Sequence, residues 1–572
     1  MKRVIPVLVA LGLIILIGGI AIGGIVKDKY SYSKERITPE EYFDMTPGQL
    51  TMILQDDRVE EKAMLRDNVC YFDLDTVQKY FNDTFYADVN EGILLYTTAQ
   101  ETVRMAFGSS SVQSVSFEGG EKNFAYPLCL AEGDRIYLAA DLVKLFTNCS
   151  IEVFDGRVQV YTQWGTRTVD ILKKDTQLRL KGGIKSPILC DLTAGDKVKI
   201  LEQMETWSKV KTADAYIGYV GNKYLENLSS GQGVAEEEVP VTDYQEPEYP
   251  SFQIDSKVCL GWHAIGGTGG NATLEDTVRG TKGMNVIAPT WFSLNDEEGN
   301  FRSFAEKSYV DRAHKLGLKV WGVLDDFNYR LETGTELSMY AILSRTSVRQ
   351  KLASSIAQTA AELGLDGVNL DFEKVTEDCG EHYAQFIREL SLECHNRGLT
   401  LSIDNYVPYE YRNYYRLDVQ GKAADYVIIM GYDEHWHGSG NPGSVASIGY
   451  VKDGISAGLK KVPASKLMNA LPFYTILWKT EGTKVTDEYI TLVNVKDFLS
   501  RANVTPQWDE ETCQNYAKWT SGEATYQIWV EDEESIAAKL SVMTASDLAG
   551  VAVWRLGYGN EAVWNLIQGY MQ

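Results

Sequence analysis

One acidic segment in the C-terminal half of the chain alternates polar and apolar side chains. Its residues are Asp366-Gly367-Val368-Asn369-Leu370-Asp371-Phe372-Glu373. Alternate residues of a β-strand share one face, so Asn369, Asp371 and Glu373 are expected to point to the same side. Polar groups on the inward face of a buried strand are costly unless they are paired or used. The pattern therefore indicates either a structural ion-pair network or an acid, Glu373, that exchanges protons with a substrate.

Apolar segments that alternate with helix-period stretches supply the elements that would position these acids. The segments are Val258 to Trp262, Met284 to Pro289, Leu318 to Leu324, Gly367 to Phe372, Leu399 to Ile403, Tyr426 to Met430, Leu467 to Pro472 and Gly550 to Trp554. They predict an α/β fold, a (β/α)8 TIM barrel over residues 253–572, with its active site at the carboxyl ends of the strands. The alternative is an open doubly wound sheet, but the glycine-rich stretch after the first segment lacks the GxGxxG spacing.

The acidic segment resembles the fourth-strand motif of family 18 glycoside hydrolases, Asp-x-x-Asp-x-Asp-x-Glu. The matching residues are Asp366, Asp371 and Glu373, together with Met430-Gly431-Tyr432-Asp433 for the family's sixth-strand Met-x-Tyr-Asp and Trp554 for the tryptophan that floors the sugar site. Asn369 replaces the second aspartate of the motif. The resemblance spans Val258 to Leu566 and is closest in pattern to the spore and cell-wall-lytic N-acetylglucosaminidase branch of the family.

The resemblance implies substrate-assisted retaining hydrolysis, in which the sugar's own 2-acetamido oxygen attacks the anomeric carbon. Glu373 would protonate the leaving oxygen and then act as a base toward water, which requires a raised pKa. Asp371 would accept a hydrogen bond from the acetamide N–H, and Tyr432 would donate one to the acetamide oxygen. The residues expected to bind the substrate are Asn369, Met430, Asp433, Trp554, Tyr406, Tyr474 and Trp291. No cofactor and no metal are implied.

Asn369 is the departure from the motif. An aspartate at this position would repel Asp371 and could share a proton with it. Asparagine cannot ionise, so we expect Asn369 to donate a hydrogen bond to Asp371 and keep it anionic.

Several other residues end predicted strands and leave alternatives open. Trp291, Tyr406 and Tyr474 would suit the faces of sugars, with core packing as the other reading of each. Asp325 or Asp326 could bind a sugar hydroxyl, and the sequence does not choose between them. The run Glu434-His435-Trp436-His437 offers two imidazoles without a third ligand, so a polar loop of the cleft is predicted in place of a metal site.

The region before the barrel contains an internal repeat. Residues 71–97 align without gaps with residues 136–162, and each copy is predicted as a short helix followed by two strands. The second copy resembles the copper amine oxidase N-terminal-like module, and residues 58–165 contain no histidine that could hold copper. Residues 170–228 resemble a bacterial SH3-type domain, a small β-barrel. Residues 229–252, which are acidic and contain prolines, are predicted to be an extended linker.

The N-terminus carries an uncharged apolar run from Ile5 to Val26 between basic residues. A run of this length can span a bilayer as a helix. Residues 1–30 are therefore predicted to be an uncleaved signal-anchor, a single-pass transmembrane helix with the catalytic domain outside the cell. The alternative is a cleaved signal peptide and a secreted protein.

The charge and the cysteines exclude other classes of function. The formal net charge of -24 argues against nucleic-acid binding. Cysteine residues are scattered without a Cys-x-x-Cys pair, which argues against a zinc ribbon. Cell-wall glycan is the expected partner: peptidoglycan is favoured by the SH3-type neighbour, chitin oligomers remain the alternative, and a catalytically silent, lectin-like scaffold is a third possibility.

Overall fold

The structure is a computed structural model that describes residues 4–238 and 244–572, with side chains for all of these except residues 4–7, 22, 23, 25 and 28. Within the described chain there are two compact units. The first comprises residues 1–85, 105–113 and 119–246, and the second comprises residues 86–104, 114–118 and 247–572. This division differs from the predicted domain boundaries, because part of the first repeat copy belongs to the second unit.

The second unit is built on a closed barrel of eight parallel strands, as the sequence predicts. The strands are β1 (Val258–His263), β2 (Val286–Pro289), β3 (Lys319–Asp325), β4 (Gly367–Asp371), β5 (Thr400–Tyr406), β6 (Tyr426–Met430), β7 (Leu467–Pro472) and β8 (Gly550–Trp554). Each strand pairs with the next strand in the chain, including β2 with β3, and β8 pairs with β1 to close the barrel. Closure leaves this sheet without the unpaired edge of an open one.

Helices surround the barrel. They are α1 (Leu274–Val278), α2 (Lys307–Lys315), α3 (Asn328–Thr333), α4 (Met339–Leu343), α5 (Thr346–Leu363), α6 (Gly380–His395), α7 (Leu417–Ala423), α8 (Ile448–Leu459), α9 (Leu492–Ala502), α10 (Glu533–Ala545) and α11 (Glu561–Tyr570). α5 buries Leu352, Ile356 and Ala360 on one face, and it ends at Gly364, whose φ of +76° suits the left-handed conformation of a helix C-terminus. α5 thus leads the chain directly into β4.

β4 has the two faces that its alternation predicts. Val368, Leu370 and Phe372 are fully buried in the barrel core, and burial of each such side chain contributes roughly 1.5–3 kcal/mol. Asn369 lies opposite Val323 of β3 and Ser402 of β5, while Asp371 lies opposite Asp325. The register therefore brings polar residues of neighbouring strands together at the carboxyl end of the barrel.

A hairpin of the first repeat copy packs on this barrel unit. Asp88 Oδ2 accepts a 2.6 Å hydrogen bond from the backbone N–H of Thr346, and Glu91 Oε1 accepts one of 3.0 Å from the N–H of Ser347. α5 has no side-chain cap of its own, so these carboxylates bind its free N–H groups and complement its dipole. Arg349 of α5 donates to the hydroxyl of Tyr86 at 2.9 Å. Helix α5 is thus fixed by residues distant in sequence.

A five-stranded antiparallel sheet lies between β7 and β8 in the chain. In spatial order its strands are Lys484–Thr491, Tyr474–Glu481, Ala524–Val530, Gln514–Ser521 and Gln507–Asp509. Ile490, Val495 and Ile528 belong to a separate small core between this sheet and α9. The alternation of eight strand-like segments did not predict this insertion.

The first unit contains two antiparallel-rich sheets of seven strands each. One consists, in order, of Ser150–Phe154, Arg157–Tyr161, Gln49–Leu54, Asp57–Arg66, Val69–Asp73, Arg135–Ala139 and Cys129–Glu132. The other consists of Ile188–Leu192, Thr176–Arg179, Ile217–Gly221, Trp207–Lys211, Lys197–Gln203, Thr166–Ile171 and Ala235–Glu238. The last strand lies in the predicted linker: Glu237 pairs with Arg167 across the strands, and its carboxylate contacts Lys197 at 3.0 Å.

The N-terminal residues Val4–Tyr30 form a helix. A bilayer span needs about 20 consecutive apolar residues. Among the residues that the structure describes, no helix meets the length and apolarity that crossing a membrane requires. The transmembrane part of the fold prediction is therefore unsupported.

Candidate active site

A cleft of about 570 Å³ opens over the carboxyl ends of the barrel strands. Five of the strands contribute side chains to its walls: Trp262 from β1, Asp371 from β4, Asp404 and Tyr406 from β5, Met430 from β6 and Trp554 from β8. The loops that follow the strands add Glu373, Tyr432, Asp433 and Arg555. Acids and aromatic rings therefore face one concave site at the rim where barrel enzymes hold their substrates.

Glu373 follows β4 directly and lies in this cleft. Its carboxylate accepts a hydrogen bond from the hydroxyl of Tyr406. The backbone N–H groups of Glu373 and Lys374 donate to Asp326 at 2.9 and 2.8 Å, which fixes the turn after the strand. Burial raises the pKa of Glu373 above its ordinary value, and the Tyr406 hydrogen bond opposes the shift. A raised pKa favours the protonated carboxyl, which is the form that a general acid requires.

Asp371 is partly exposed to the cleft, and no described residue donates a hydrogen bond to its carboxylate. Its Oδ1 atom is buried without a partner. Burial raises the pKa of Asp371 well above the ordinary value, and the neighbouring charges of Glu373 and Asp404 raise it further. An unpaired acceptor at this depth is available to a hydrogen-bond donor.

The structure places Asn369 beneath the cleft instead of in its wall. Its Oδ1 accepts from Trp262 Nε1 at 3.0 Å, and its Nδ2 donates to Ser402 Oγ and Asp404 Oδ1, both at 2.9 Å. The predicted hydrogen bond to Asp371 is therefore wrong, because the register with β5 directs both amide hydrogens to that strand. Asn369 is fully buried and does not line the cleft.

Met430 is the last residue of β6, and Tyr432 and Asp433 follow it in the chain. All three line the cleft. Asp433 has a φ of +60°, a left-handed conformation that aspartate tolerates better than most residues. Its carboxylate accepts a hydrogen bond from the hydroxyl of Tyr474, which lies behind the wall. Burial raises the pKa of the Tyr432 phenol well above its usual value, so the phenol stays protonated and can donate.

The predicted aromatic residues divide between the cleft and the core. Trp554 lines the cleft beside Trp262, with ring centroids 6.1 Å apart in an edge-to-face arrangement. Tyr406 lines the cleft and binds Glu373. Trp291 instead is almost fully buried, and its Nε1 donates to Asn271 at 2.8 Å. Trp291 therefore packs in the core, which was the alternative interpretation of its position.

The acids at the end of β3 have structural partners. Asp325 accepts from Ser293 Oγ at 2.7 Å and from the backbone N–H of Asn328 at 2.8 Å, while Asp326 accepts from the turn after β4. Neither lines the cleft. In the histidine loop, His435 contacts the carbonyl of Asn441 and His437 contacts Asp487. No group of three potential metal ligands is found among the described residues.

Sequence reasoning missed several residues of the cleft, among them Trp262, Asp404 and Arg555. A signal for Asp404 was present, because Ser402, Asp404 and Tyr406 repeat on β5 the period-two polar pattern of β4. Arg555 lies next to Trp554, and its guanidinium donates to the hydroxyl of Tyr558 at 2.6 Å.

A (β/α)8 barrel that presents a buried carboxyl and tryptophan rings in one cleft has the architecture of a glycosidase. Comparison with known proteins agrees with this class. Residues 328–559 match the model of glycosyl hydrolases family 18, and residues 174–226 match that of the bacterial SH3 domain. Part of the barrel region is thus similar to family 18 glycosyl hydrolases, and residues 174–226 are similar to bacterial SH3 domains.

Named relatives are similar to part of the chain. An uncharacterized glycosylase, YvbX of Bacillus subtilis, is 24% identical over 318 residues, 53% of this chain and 89% of the relative. The cortical fragment-lytic enzyme of Bacillus anthracis is 27% identical over 240 residues, 40% of this chain, so the match spans about half (54%) of that enzyme. The crystal structure of the spore cortex-lytic enzyme SleL of Bacillus cereus superposes with a TM-score of 0.50 at 21% identity, covering 55% of this chain and 75% of SleL. This likeness supports the fold.

Proposed function

We propose that this glycosidase cleaves β-N-acetylglucosaminyl bonds of bacterial cell-wall glycan with retention of configuration, using the 2-acetamido group of its substrate as the nucleophile. The observation that carries the proposal is the convergence of Glu373, Asp371 and Tyr432 in one cleft. Together they provide a proton donor, an acceptor without a partner and a phenol that stays protonated. These are the groups that a leaving glycosidic oxygen, an amide N–H and an amide carbonyl require.

In the first step, Glu373 protonates the glycosidic oxygen while the acetamide oxygen attacks the anomeric carbon. The C–O bond to the leaving sugar breaks, and an oxazolinium ion forms on the sugar that remains. Asp371 accepts the hydrogen bond of the amide N–H, and its charge stabilises the cation. Tyr432 donates to the acetamide oxygen and holds it in line for attack.

In the second step, Glu373 is a carboxylate and takes a proton from water. The water oxygen bonds to the anomeric carbon, the ring of the oxazolinium opens, and the acetamide is restored. The configuration is retained because two displacements take place at one carbon. Trp554, which packs edge-to-face with Trp262, offers a ring face against which the apolar face of the sugar can pack.

Peptidoglycan is proposed as the polymer in preference to chitin. The bacterial SH3 domain and the names of the cortical fragment-lytic relatives support a wall substrate. Arg555 adds an observation from the cleft, since the peptide stems on the muramic acid residues of peptidoglycan carry carboxylates and chitin carries no charge. Guanidinium groups bind carboxylates through paired hydrogen bonds, and no ion pair is found for Arg555 within the described part of the chain.

Digestion of purified peptidoglycan and of chitin oligomers, followed by mass spectrometry of new reducing ends, tests this function. We expect reducing N-acetylglucosamine ends from peptidoglycan and inhibition by a thiazoline that mimics the cyclised intermediate. Arg555→Gln should lower peptidoglycan cleavage several-fold relative to cleavage of an uncharged N-acetylglucosamine oligomer. Faster cleavage of chitin by the wild type would instead favour a chitinase, and glycan binding without cleavage would favour a lectin-like scaffold.

We also propose that the protein acts outside the cell. The support is the uncharged apolar run from Ile5 to Val26, flanked by basic residues, together with the SH3 domain. Cell fractionation with an antibody against the barrel tests this location. The membrane fraction would indicate an anchor and the medium would indicate secretion, whereas recovery in the cytosol would contradict export.

A further inference from the structure

A buried polar network lies beneath the proposed acetamide site, and it departs from the family motif. Asn369 occupies its centre, where the motif has an aspartate. Both of its amide hydrogens and its oxygen are engaged by Trp262, Ser402 and Asp404, as described above. Asn369 therefore has no hydrogen left for Asp371, and it carries no titratable proton.

Asp404 lies on β5 beside Asp371. The register pairs Asn369 with Ser402 and Leu370 with Ile403, so the next positions on the two strands are Asp371 and Asp404. Neighbouring parallel strands are about 4.8 Å apart. Both side chains point into the barrel, because they follow Asn369 and Ser402 at a spacing of two. The two carboxyl groups are therefore neighbours in the wall of the cleft.

Each carboxyl of this pair has one buried oxygen without a hydrogen-bond partner, Oδ1 of Asp371 and Oδ2 of Asp404. Asn369 donates to the other oxygen of Asp404, and the residue as a whole is only 2% exposed. If neither oxygen carried a proton, two buried acceptors would remain without a donor, which is costly. One proton shared between the two oxygens satisfies both.

The surroundings favour keeping that proton. The titratable groups that face the pair are the acids Glu373, Asp325 and Asp326 and the phenols of Tyr383, Tyr406 and Tyr432. None of these is a cation, so two ionised aspartates would repel each other. Burial also raises the pKa of Asp404 well above its ordinary value, and the hydrogen bonds of Asn369 and Trp262 oppose this shift only in part.

We infer that Asp404 is a positioning residue that remains protonated and donates a hydrogen bond to Oδ1 of Asp371. It thereby takes the role of the motif aspartate that Asn369 replaces. The inference rests on the proposed function of the cleft. Asp371 is then held as an anion with its other oxygen free for the acetamide N–H. The proton stays on Asp404 through both steps of hydrolysis, so Glu373 alone exchanges protons with the substrate and water.

Three variants separate this role from a general structural one. Asp404→Asn keeps a neutral donor, so kcat/KM on a fluorogenic di-N-acetylchitobioside should stay within about threefold of the wild type at the pH optimum. Asp404→Leu removes the donor and should lower kcat/KM by about 10²-fold, the usual size of losing one donor to a critical charge. If Asp404→Leu fails to fold, Asn369→Asp combined with Asp404→Asn moves the acid to the motif position and should retain activity.

The pH dependence of unfolding gives a readout that needs no activity. Above about pH 5, where an unfolded aspartate is ionised, the wild type should bind one more proton in the folded state than Asp404→Asn, so its stability should fall more steeply as the pH rises. Asp255→Asn, an exposed aspartate of the same unit, is the control and should match the wild type. Equal slopes for Asp404→Asn and the wild type, or full activity of a folded Asp404→Leu, would overturn the inference. A wild type that cleaves no N-acetylglucosaminide would count against the proposed function, while the unfolding slopes would still decide the shared proton.

Discussion

The acids at the end of β3 and those at the ends of β4 and β5 share one barrel rim but differ in their hydrogen bonds. Asp325 and Asp326 accept hydrogen bonds from backbone N–H groups, and they hold the turns that follow β3 and β4. Asp371 accepts none from the described residues, and the partners of Asp404 are side chains. A buried acid that accepts from backbone N–H groups stabilises the backbone, whereas a buried acid without such bonds is held ready for a ligand or a proton.

The largest expected effect concerns Glu373, the acid that follows Asp371 at the end of β4. Glu373→Gln removes the proton donor but keeps the shape of the side chain, so kcat should fall by about 10³-fold or more on any substrate with a poor leaving group. Steady-state hydrolysis of N-acetylglucosamine oligomers measures this. Glu377→Gln, the same change at an exposed residue of the same loop, should be as active as the wild type. Comparable activity of the two variants would remove Glu373 from its role.

A second variant tests whether the unpartnered acid serves chemistry instead of stability. Asp371→Asn should lower kcat by about 10²-fold, because a neutral amide stabilises the oxazolinium less than an anion does. The pKa of Asp371 is raised in the fold, so its ionisation destabilises the protein as pH rises above the unfolded value. Urea unfolding at pH 8 should therefore show a variant at least as stable as the wild type. A clear loss of stability would place Asp371 with the structural acids.

The opposite pattern is expected for the acid that has partners. Asp326→Ala leaves the N–H groups of Glu373 and Lys374 without acceptors, so the free energy of unfolding should fall by about 1–3 kcal/mol. Its kcat should fall less than that of Asp371→Asn, since Asp326 does not line the cleft. Urea unfolding at pH 6 and kinetics on the same preparation check both. If Asp326→Ala were as stable as the wild type, Asp326 would not stabilise the backbone, and the two groups of acids would not differ in this respect.

The smallest expected effect tests how the hydrogen bond from Tyr406 changes the pKa of Glu373. The Tyr406 hydroxyl stabilises the anionic form of Glu373 and so lowers the pKa of that carboxyl. Tyr406→Phe removes this bond, and the pKa of Glu373 should rise. Because the reaction needs protonated Glu373, the alkaline limb of kcat/KM should move to higher pH. A pH–rate profile measures the shift, and a limb that moved to lower pH would contradict the assignment.

Much of the barrel follows from the sequence because its signals are local. Each barrel strand is an apolar run between turns, and the alternation along β4 places Asp371 on the inward face without any knowledge of its neighbours. The cleft positions of Tyr432 and Trp554 follow in the same way, since each lies at or just after the end of a strand.

The features that the sequence did not predict depend on contacts between distant segments. Asn369 donates its hydrogen bonds to Ser402 and Asp404 because of the register between β4 and β5, which no local pattern specifies. The hairpin of the first repeat copy packs on α5 through single carboxylates at Asp88 and Glu91, whereas the strands of the second copy join a seven-stranded sheet of the first unit. The two copies share helix and strand pattern, but the pattern does not encode which partner each copy selects.

The central claim is that the amide of the substrate, and no side chain of the protein, attacks the anomeric carbon. Its most direct test compares aryl di-N-acetylchitobiosides in which the acetyl group of the reacting sugar carries none, one, two or three fluorine atoms. Fluorine withdraws electrons from the amide oxygen, so kcat/KM should decrease steeply with each added fluorine if that oxygen is the nucleophile. A kcat/KM that is the same for all four substrates would contradict the account and point to attack by a carboxylate.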